Sequence, residues 1–276
     1  MLLLEKTCIV NRPVRPAPKV SFWTSYDANV IGGALVGIGM ALSGACPGTV
    51  LVQIVRGIPS ANATAIGCFT GAAVYVQTRD RLESMAHPQK DANQLSCKST
   101  ISEVICISDT ILYPIFGLTI MGVLLFTAPR DTSSLVPPVV GGLLIGSAQA
   151  FSLLLTSNPL GVSTMYEHVS QNVLQAFTEK LGKQDWLTHP IVFSVGIIAG
   201  SMLFLQMPSA TNSSSADATI SAWHAFAGGF MMTYGARFGG GCTSGHGLSG
   251  LSAMSFSSLV TVGSMFSAGI LTQKLI

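Results

Sequence analysis

The chain has 276 residues, of which 49% are hydrophobic and only 9% are charged. An average soluble domain carries roughly 25% charged residues, so this composition excludes a soluble enzyme and a soluble nucleic-acid-binding protein. The net charge of +2 is too small to indicate an acidic partner. The lipid bilayer is therefore the expected environment.

The predicted elements begin after a polar, proline-rich tail at residues 1–27, and a membrane domain is expected over residues 28–276. A membrane span takes about 20 apolar residues. Apolar segments are predicted at residues 30–57, 60–78, 104–128, 136–157, 188–207, 220–238 and 251–272. A polar loop at 79–103 and a polar stretch at about 158–187 interrupt them. This alternation predicts an all-α, multi-pass integral membrane protein.

Basic residues give a weak indication of orientation. Arg12, Arg15 and Lys19 favour a cytoplasmic tail, and the loop 79–103 carries further basic residues that favour the same side. The expected location is the cell membrane.

Two segments of the chain repeat each other. Residues 32–49 (GGALVGIGMALSGACPGT) and 228–245 (GGFMMTYGARFGGGCTSG) align with a shift of 196, which places Cys46 on Cys242 and aligns four glycines. A weaker third copy at residues 141–158 carries leucine at the cysteine position. The predicted units therefore lie near 32–57, 141–160 and 228–252.

Each cysteine-bearing copy contains a break in an apolar run. About 12 apolar residues follow the paired glycines, and they would form about 18 Å of helix, roughly half a bilayer. The glycine-rich sequences GACPGT and GGGCTSGHG then interrupt the helix. Irregular backbone at that depth must line a cavity or be buried in protein, so the pattern predicts broken or re-entrant half-helices. Close helix packing is the alternative role for each glycine taken singly.

The predicted breaks suit an anion. Transporters place substrate sites at such breaks, where half-helix N-termini offer backbone N–H groups and a positive dipole end. A thiol at a helix N-terminus is more readily ionised and more nucleophilic, and its S–H group donates weakly to a soft anion. An oxyanion with a terminal sulfur fits this mixed lining better than sulfate does. The predicted substrate-binding residues besides the two cysteines are Gly44, Pro47, Gly48, Thr49, Gly241, Thr243 and Ser244, with Gln149 and Thr156 from the third copy.

Two further polar residues lie close to the second break. Arg237 is the only cation between Lys183 and Lys274, and an intramembrane charge is a functional candidate. It could attract the anion or hold the loop by bonding backbone carbonyls. His246 could hydrogen-bond the loop or act on substrate or protons.

Other chemistries find little support in the sequence. Gly245 to Gly250 match GxGxxG, but no predicted strand precedes them, so a nucleotide site is not expected. The spacing of Cys46, Cys242 and His246 is not that of a zinc motif. No cofactor and no metal are therefore expected.

The segments GMALSGACPGT (39–49) and GARFGGGCTSGHGLSG (235–250) resemble the YeeE/YedE sulfur-transport family, the thiosulfate uptake proteins. The resemblance implies a membrane fold with pseudo-symmetric halves and short helices that dip to a central constriction. It also implies uptake of thiosulfate, or a related sulfur compound, that is relayed past cysteines. Cys46 and Cys242 match the two motif cysteines of the family, and this match gives them the relay role.

The family pattern leads us to expect a further repeat unit before Tyr26, where this chain has its proline-rich tail. Two alternatives to transport therefore stay open. One is a shortened homologue that does not transport, and the other is a membrane thiol enzyme of sulfur transfer with Cys242 as nucleophile. A partner sulfurtransferase and ion coupling also stay open, because the sequence has no motif for direct use of ATP.

Overall fold

The computed structural model describes residues 18, 26–85, 100–127, 138–156, 161–177, 188–206 and 220–276. The chain is helical through these ranges, and its one β pairing there is an isolated bridge between Thr100 and Ser255. The basic residues of the predicted tail and the middle of the loop 79–103 lie outside the described residues. The predicted all-α membrane fold is confirmed.

The helices follow one another in the order of the predicted apolar segments. The first half of the chain contains α1 (Asp27–Ser43), α2 (Pro47–Val55), α3 (Pro59–Met85), α4 (Ile101–Ile105) and α5 (Asp109–Thr127). The second half contains α6 (Pro138–Thr156), α7 (Ser163–Phe177), α8 (His189–Leu205), α9 (Ala222–Phe238), a π-helical segment (Thr243–Gly250) and α10 (Phe256–Leu275).

One stretch of the described chain is long and apolar enough to cross a bilayer by length and composition. It is the pair α1–α2, Asp27–Val55, and it contains the predicted break. Shorter apolar helices lie at Asp109–Val123, Val139–Leu155 and His189–Leu205. Many of their large apolar side chains are exposed, as expected for surfaces that face lipid.

Glycines bring the backbones of α1 and α9 into direct contact. A Cβ atom added at Gly32 would lie 2.7 Å from the carbonyl oxygen of Gly235, and one added at Gly39 would lie 2.5 Å from that of Gly228. Small residues permit such close approach of helices in membranes. The sequence alignment equates Gly32 with Gly228 and Gly39 with Gly235. The contact between Gly32 and Gly235 is therefore equivalent to the contact between Gly228 and Gly39.

The helices that pack beside α1 and α9 also make equivalent contacts. α10 packs on α1, where Gly33 lies against Thr261. α3 packs on α9, where Gly229 lies against Thr64. Because Gly33 and Gly229 are equivalent in the alignment, α1, α3, α9 and α10 form a four-helix core in which the first and last parts of the chain make matching contacts.

The third copy of the repeat departs from the other two. Residues 153–155, which align with the break at Gly44–Cys46, are helical in α6. They are leucines, and neither glycine nor proline interrupts the backbone hydrogen bonds there. Gly142 and Gly146 of this helix have open space around them. α6 therefore does not break at the aligned position, and Gly142 and Gly146 make no close packing contact with the described residues.

Two stretches predicted as polar connections contain helix. α3 continues to Met85, into the predicted loop 79–103, and α7 occupies much of the polar stretch 158–187. α7 is buried on one side against α3, where the hydroxyl of Ser170 donates to the carbonyl of Phe69 at 3.1 Å. Within the described residues 161–177, the polar composition therefore accompanies a helix with one buried side and not a solvated loop.

Candidate functional site

The first break turns the chain between α1 and α2. Gly44 adopts a left-handed conformation (φ 63°) at the end of α1, and its N–H donates to the carbonyl of Met40 at 2.9 Å. Glycine ends helices in this conformation without strain. Cys46 then takes an extended conformation as the N-cap of α2, and Pro47 occupies the first helical position, which proline suits because it has no N–H to leave unpaired.

Thr49 completes the cap around Cys46. Its hydroxyl oxygen accepts a hydrogen bond from the backbone N–H of Cys46 at 2.7 Å and lies 3.4 Å from the cysteine sulfur. Cys46 is half-buried, and a Cβ atom added at Gly48 would lie 4.0 Å from its sulfur. Of the residues predicted around the first thiol, Thr49 therefore contacts the sulfur, and Gly48, which has no side chain, leaves space beside it.

The second break reproduces the first. Gly240, the residue equivalent to Gly44, is also left-handed (φ 82°). Cys242 is extended and is the N-cap of the π-helical segment, as Cys46 is of α2. The two cysteines thus occupy equivalent positions. Each lies in the break after a longer helix, immediately before a short one.

Hydrogen-bond donors surround the sulfur of Cys242. The thiol is 2% exposed, and the hydroxyl oxygen of Ser244 lies 3.1 Å from it. Burial opposes negative charge on this sulfur, whereas the polar groups of Ser163, Ser244 and Gly245 beside it favour that charge. Such an environment of hydroxyl and N–H groups stabilises negative charge on sulfur or on a bound anion.

The beginning of α7 joins the two breaks. The backbone N–H of Val162 donates to the hydroxyl of Ser244 at 3.4 Å, and the hydroxyl of Tyr166 donates to the carbonyl of Pro47 at 2.9 Å. Tyr166 is fully buried and packs edge-on against Phe69. The sequence reasoning missed this helix, although apolar residues at 162, 165, 166 and 169 follow helical spacing.

Arg237 is paired with a carboxylate that the sequence reasoning also missed. Its Nε lies 2.6 Å from Glu167 Oε2, and its Nη1 donates to the hydroxyls of Thr164 at 3.2 Å and Ser163 at 3.5 Å. Arg79 approaches the other oxygen of Glu167 at 3.8 Å. The partners of Arg237 are thus Glu167 and the first turn of α7. The sequence suggested an anion or loop carbonyls in that role.

His246 ties the second break to α10. It is 2% exposed, with Nε2 placed 3.1 Å from the carbonyl of Gly239 and Nδ1 2.9 Å from the hydroxyl of Ser258. A carbonyl only accepts, so we assign the proton to Nε2 and an accepting role to Nδ1. Both ring nitrogens are engaged, which favours the loop-holding role over action on substrate.

Thr243 and Gln149 make their described hydrogen bonds to groups other than the two thiols. Thr243 donates to the thioether sulfurs of Met40 at 3.3 Å and Met265 at 3.7 Å. Gln149 is buried and donates to Ser252 at 3.3 Å, beyond the end of the π-helical segment. Gly241 is buried between Gly240 and Cys242, and the side chain of Thr156, at the end of α6, lies outside the described residues. Within the part of the chain that the structure describes, no group of three His, Cys, Asp or Glu residues could hold a metal ion.

Comparison with known proteins identifies the family of the chain. The sulphur transport family matches residues 7–271. Two proteins named "Probable transporter", from Xylella fastidiosa strains Temecula1 and 9a5c, are each 30% identical to the chain over 139 residues. The match covers 49% of this chain and 90% of each relative. With nearly its whole length matched, the chain belongs to the sulphur transport family.

Proposed function

We propose that the protein transports thiosulfate, or a related sulfur oxyanion, across the cell membrane through a pathway that passes Cys46 and Cys242. The observation that carries the proposal is their shared position, since each cysteine is the N-cap of a short helix after a left-handed glycine. Family membership and the names of the two relatives support transport of a sulfur compound. Exposed apolar side chains on α5, α6 and α8 support a multi-pass arrangement in the lipid bilayer.

The two ends of thiosulfate would meet different groups along this pathway. Its oxygens accept hydrogen bonds from hydroxyl and backbone N–H groups such as those around Cys242. Its terminal sulfur is a soft acceptor to which a thiol S–H can donate. The anion would pass from one thiol to the next by exchange of hydrogen bonds, and no covalent bond needs to form.

The charge at the site agrees with weak, reversible binding. Glu167 neutralises Arg237 at 2.6 Å, so the anion does not meet an unpaired guanidinium there. Conduction requires binding that is strong enough to admit an ion and weak enough to release it. Helix N-termini and hydroxyls supply attraction of that moderate kind.

Cysteine replacement tests the proposal. We expect Cys46→Ala and Cys242→Ala each to abolish uptake of labelled thiosulfate in cells that depend on external thiosulfate. Cys68→Ala is the matched control, because Cys68, like Cys242, is a buried free thiol but lies within α3 and not at a break. The amount of each variant in the membrane is measured in parallel. Normal uptake by both break variants would refute the relay.

A sulfur-transfer enzyme is the second candidate, because the donors around Cys242 would also stabilise a nucleophilic thiolate. The two functions differ in their need for a closed membrane. Accumulation of thiosulfate inside sealed vesicles by the purified protein supports transport. In the enzyme, the thiolate of Cys242 would attack the outer sulfur of thiosulfate, break its S–S bond and release sulfite. The resulting persulfide would pass its outer sulfur to an added thiol. Sulfite release and persulfide turnover in detergent, without accumulation in vesicles, would favour the enzyme.

A further inference from the structure

Val162 lies between the segments that carry the two thiols. On one side, its Cγ2 is 3.6 Å from the position that a Cβ atom of Gly48 would take, and that position is 4.0 Å from the sulfur of Cys46. On the other side, its backbone N–H donates to Ser244 at 3.4 Å, and the hydroxyl oxygen of Ser244 lies 3.1 Å from the sulfur of Cys242. One residue thus connects the surroundings of both cysteines.

The two sides of Val162 differ in polarity. Its backbone belongs to the hydrogen-bonded surroundings of Cys242, whereas its side chain belongs to an apolar cluster with Ala45, Val50 and Tyr166. The residue is 2% exposed. An anion that passes from one thiol to the other would therefore meet a dry, apolar surface between two polar ones.

An apolar surface discriminates between thiosulfate and sulfate. All four oxygens of sulfate need hydrogen bonds, and a polar group that is buried without a partner costs free energy. Thiosulfate presents a soft sulfur in place of one oxygen, and sulfur tolerates contact with aliphatic carbon far better. Contact with the Val162 side chain therefore penalises sulfate more than thiosulfate.

We infer that Val162 is a specificity-determining residue, and that its side chain selects the sulfur-terminated anion over sulfate at the passage between Cys46 and Cys242. The inference rests on the proposed transport function. It assigns a role to the residue immediately before α7. This residue lies outside both cysteine motifs and precedes Glu167 in the chain.

The test compares Val162→Thr with Val169→Thr. Threonine keeps the shape of valine and adds a hydroxyl that can donate to a sulfate oxygen. Val169 is the matched control, because it lies on α7, the helix that Val162 immediately precedes, and packs on the same apolar cluster, with no hydrogen bond to the cysteine segments among its described contacts. Purified variants in sealed vesicles are assayed for uptake of labelled thiosulfate and labelled sulfate, and the ratio of the two rates is compared.

We expect Val162→Thr to lower the thiosulfate-to-sulfate ratio by about tenfold or more, the size of effect that one hydrogen bond to a charged group produces. Val169→Thr keeps the ratio of the unmodified protein. Both anions are measured on the same preparation, so a loss of folded protein cancels from the ratio. Val162→Ala, which opens the passage to a hydrated anion, gives a second variant with the same expected direction.

The outcomes separate the two levels of the proposal. An unchanged ratio in Val162→Thr and Val162→Ala, in a protein that transports thiosulfate, would overturn the role of Val162 and leave the transport function standing. Absence of thiosulfate uptake by the unmodified protein would overturn both. An equal fall of the ratio in Val169→Thr would show a general effect of hydroxyls in the cluster and would also overturn the role of Val162.

Discussion

The contact between α1 and α9 makes a sharp prediction for Gly39→Ala. The added methyl carbon would lie 2.5 Å from the carbonyl oxygen of Gly228, 2.6 Å from the backbone nitrogen of Met232 and 2.7 Å from its Cβ. None of these atoms can rotate away, since two belong to the backbone and the third is attached to it. Restoring an ordinary contact of 3.4 Å therefore requires the two helices to separate by about 0.9 Å, and overpacking forces such backbone shifts.

The expected magnitude combines two opposing effects. Overpacking costs about 1–3 kcal/mol, while the exchange of glycine for alanine in a helix returns up to about 1 kcal/mol. The close neighbours are backbone atoms or atoms attached to the backbone, so the upper part of the overpacking range applies, about 2–3 kcal/mol. The net loss is then about 1–2 kcal/mol, which lowers the midpoint of thermal unfolding by roughly 2–8 °C for a chain of this size. α9 leads directly to Cys242, so the same displacement changes the separation of the two thiols and lowers thiosulfate uptake.

Gly263→Ala is the matched control for this measurement. Gly263 lies in α10, and a Cβ atom there would meet nothing within 4 Å. Thermal unfolding of the two purified variants is followed in the same detergent, and the control is expected to unfold at or slightly above the temperature of the unmodified protein. Equal midpoints for the two variants would refute the reasoning, because they would show that α1 and α9 do not depend on the glycine contact.

Two further predictions concern α7. Glu167→Ala leaves Arg237 without its carboxylate and lowers the free energy of unfolding by about 3 kcal/mol. The double variant Glu167→Ala with Arg237→Ala recovers part of this loss, as measured by chemical denaturation. A double variant no more stable than the single one would contradict a coupled pair. Tyr166→Phe removes only the hydrogen bond to the carbonyl of Pro47, costs about 1 kcal/mol, and speeds alkylation of Cys46 by a small reagent because the start of α2 is no longer held. Mass spectrometry of the peptide that contains Cys46 measures that rate, and a rate unchanged from the unmodified protein would count against a restraining role for Tyr166.

The breaks of the cysteine-bearing helices could be predicted from the sequence because their causes are local. Glycine at residues 44 and 240 supplies the left-handed conformation, and Pro47 suits only the first turn of a helix. The fixed spacing from these residues to Cys46 and Cys242 then places both thiols at N-caps. Short-range backbone chemistry alone determines this part of the candidate site.

The role of α7 could not be predicted in the same way. Its apolar residues alternate with Ser163, Glu167 and Ser170, so its composition resembles that of a solvated connection. Glu167 is stable in the interior because Arg237, distant in sequence, lies beside it. A pairing between distant residues leaves no periodic signal, and the same reason explains why Arg237 was assigned to an anion or to loop carbonyls.

The mirrored contacts between the first and last parts of the chain constrain how the protein is made. Translation proceeds from the N-terminus, so α1 and α3 are synthesised long before α9 and α10, the helices that cover them. Until then, the described contacts of the glycines of α1 and α3 with α9 and α10 cannot form. The core closes only when α10 has left the ribosome, and the breaks that carry the two thiols are fixed relative to each other at that late step.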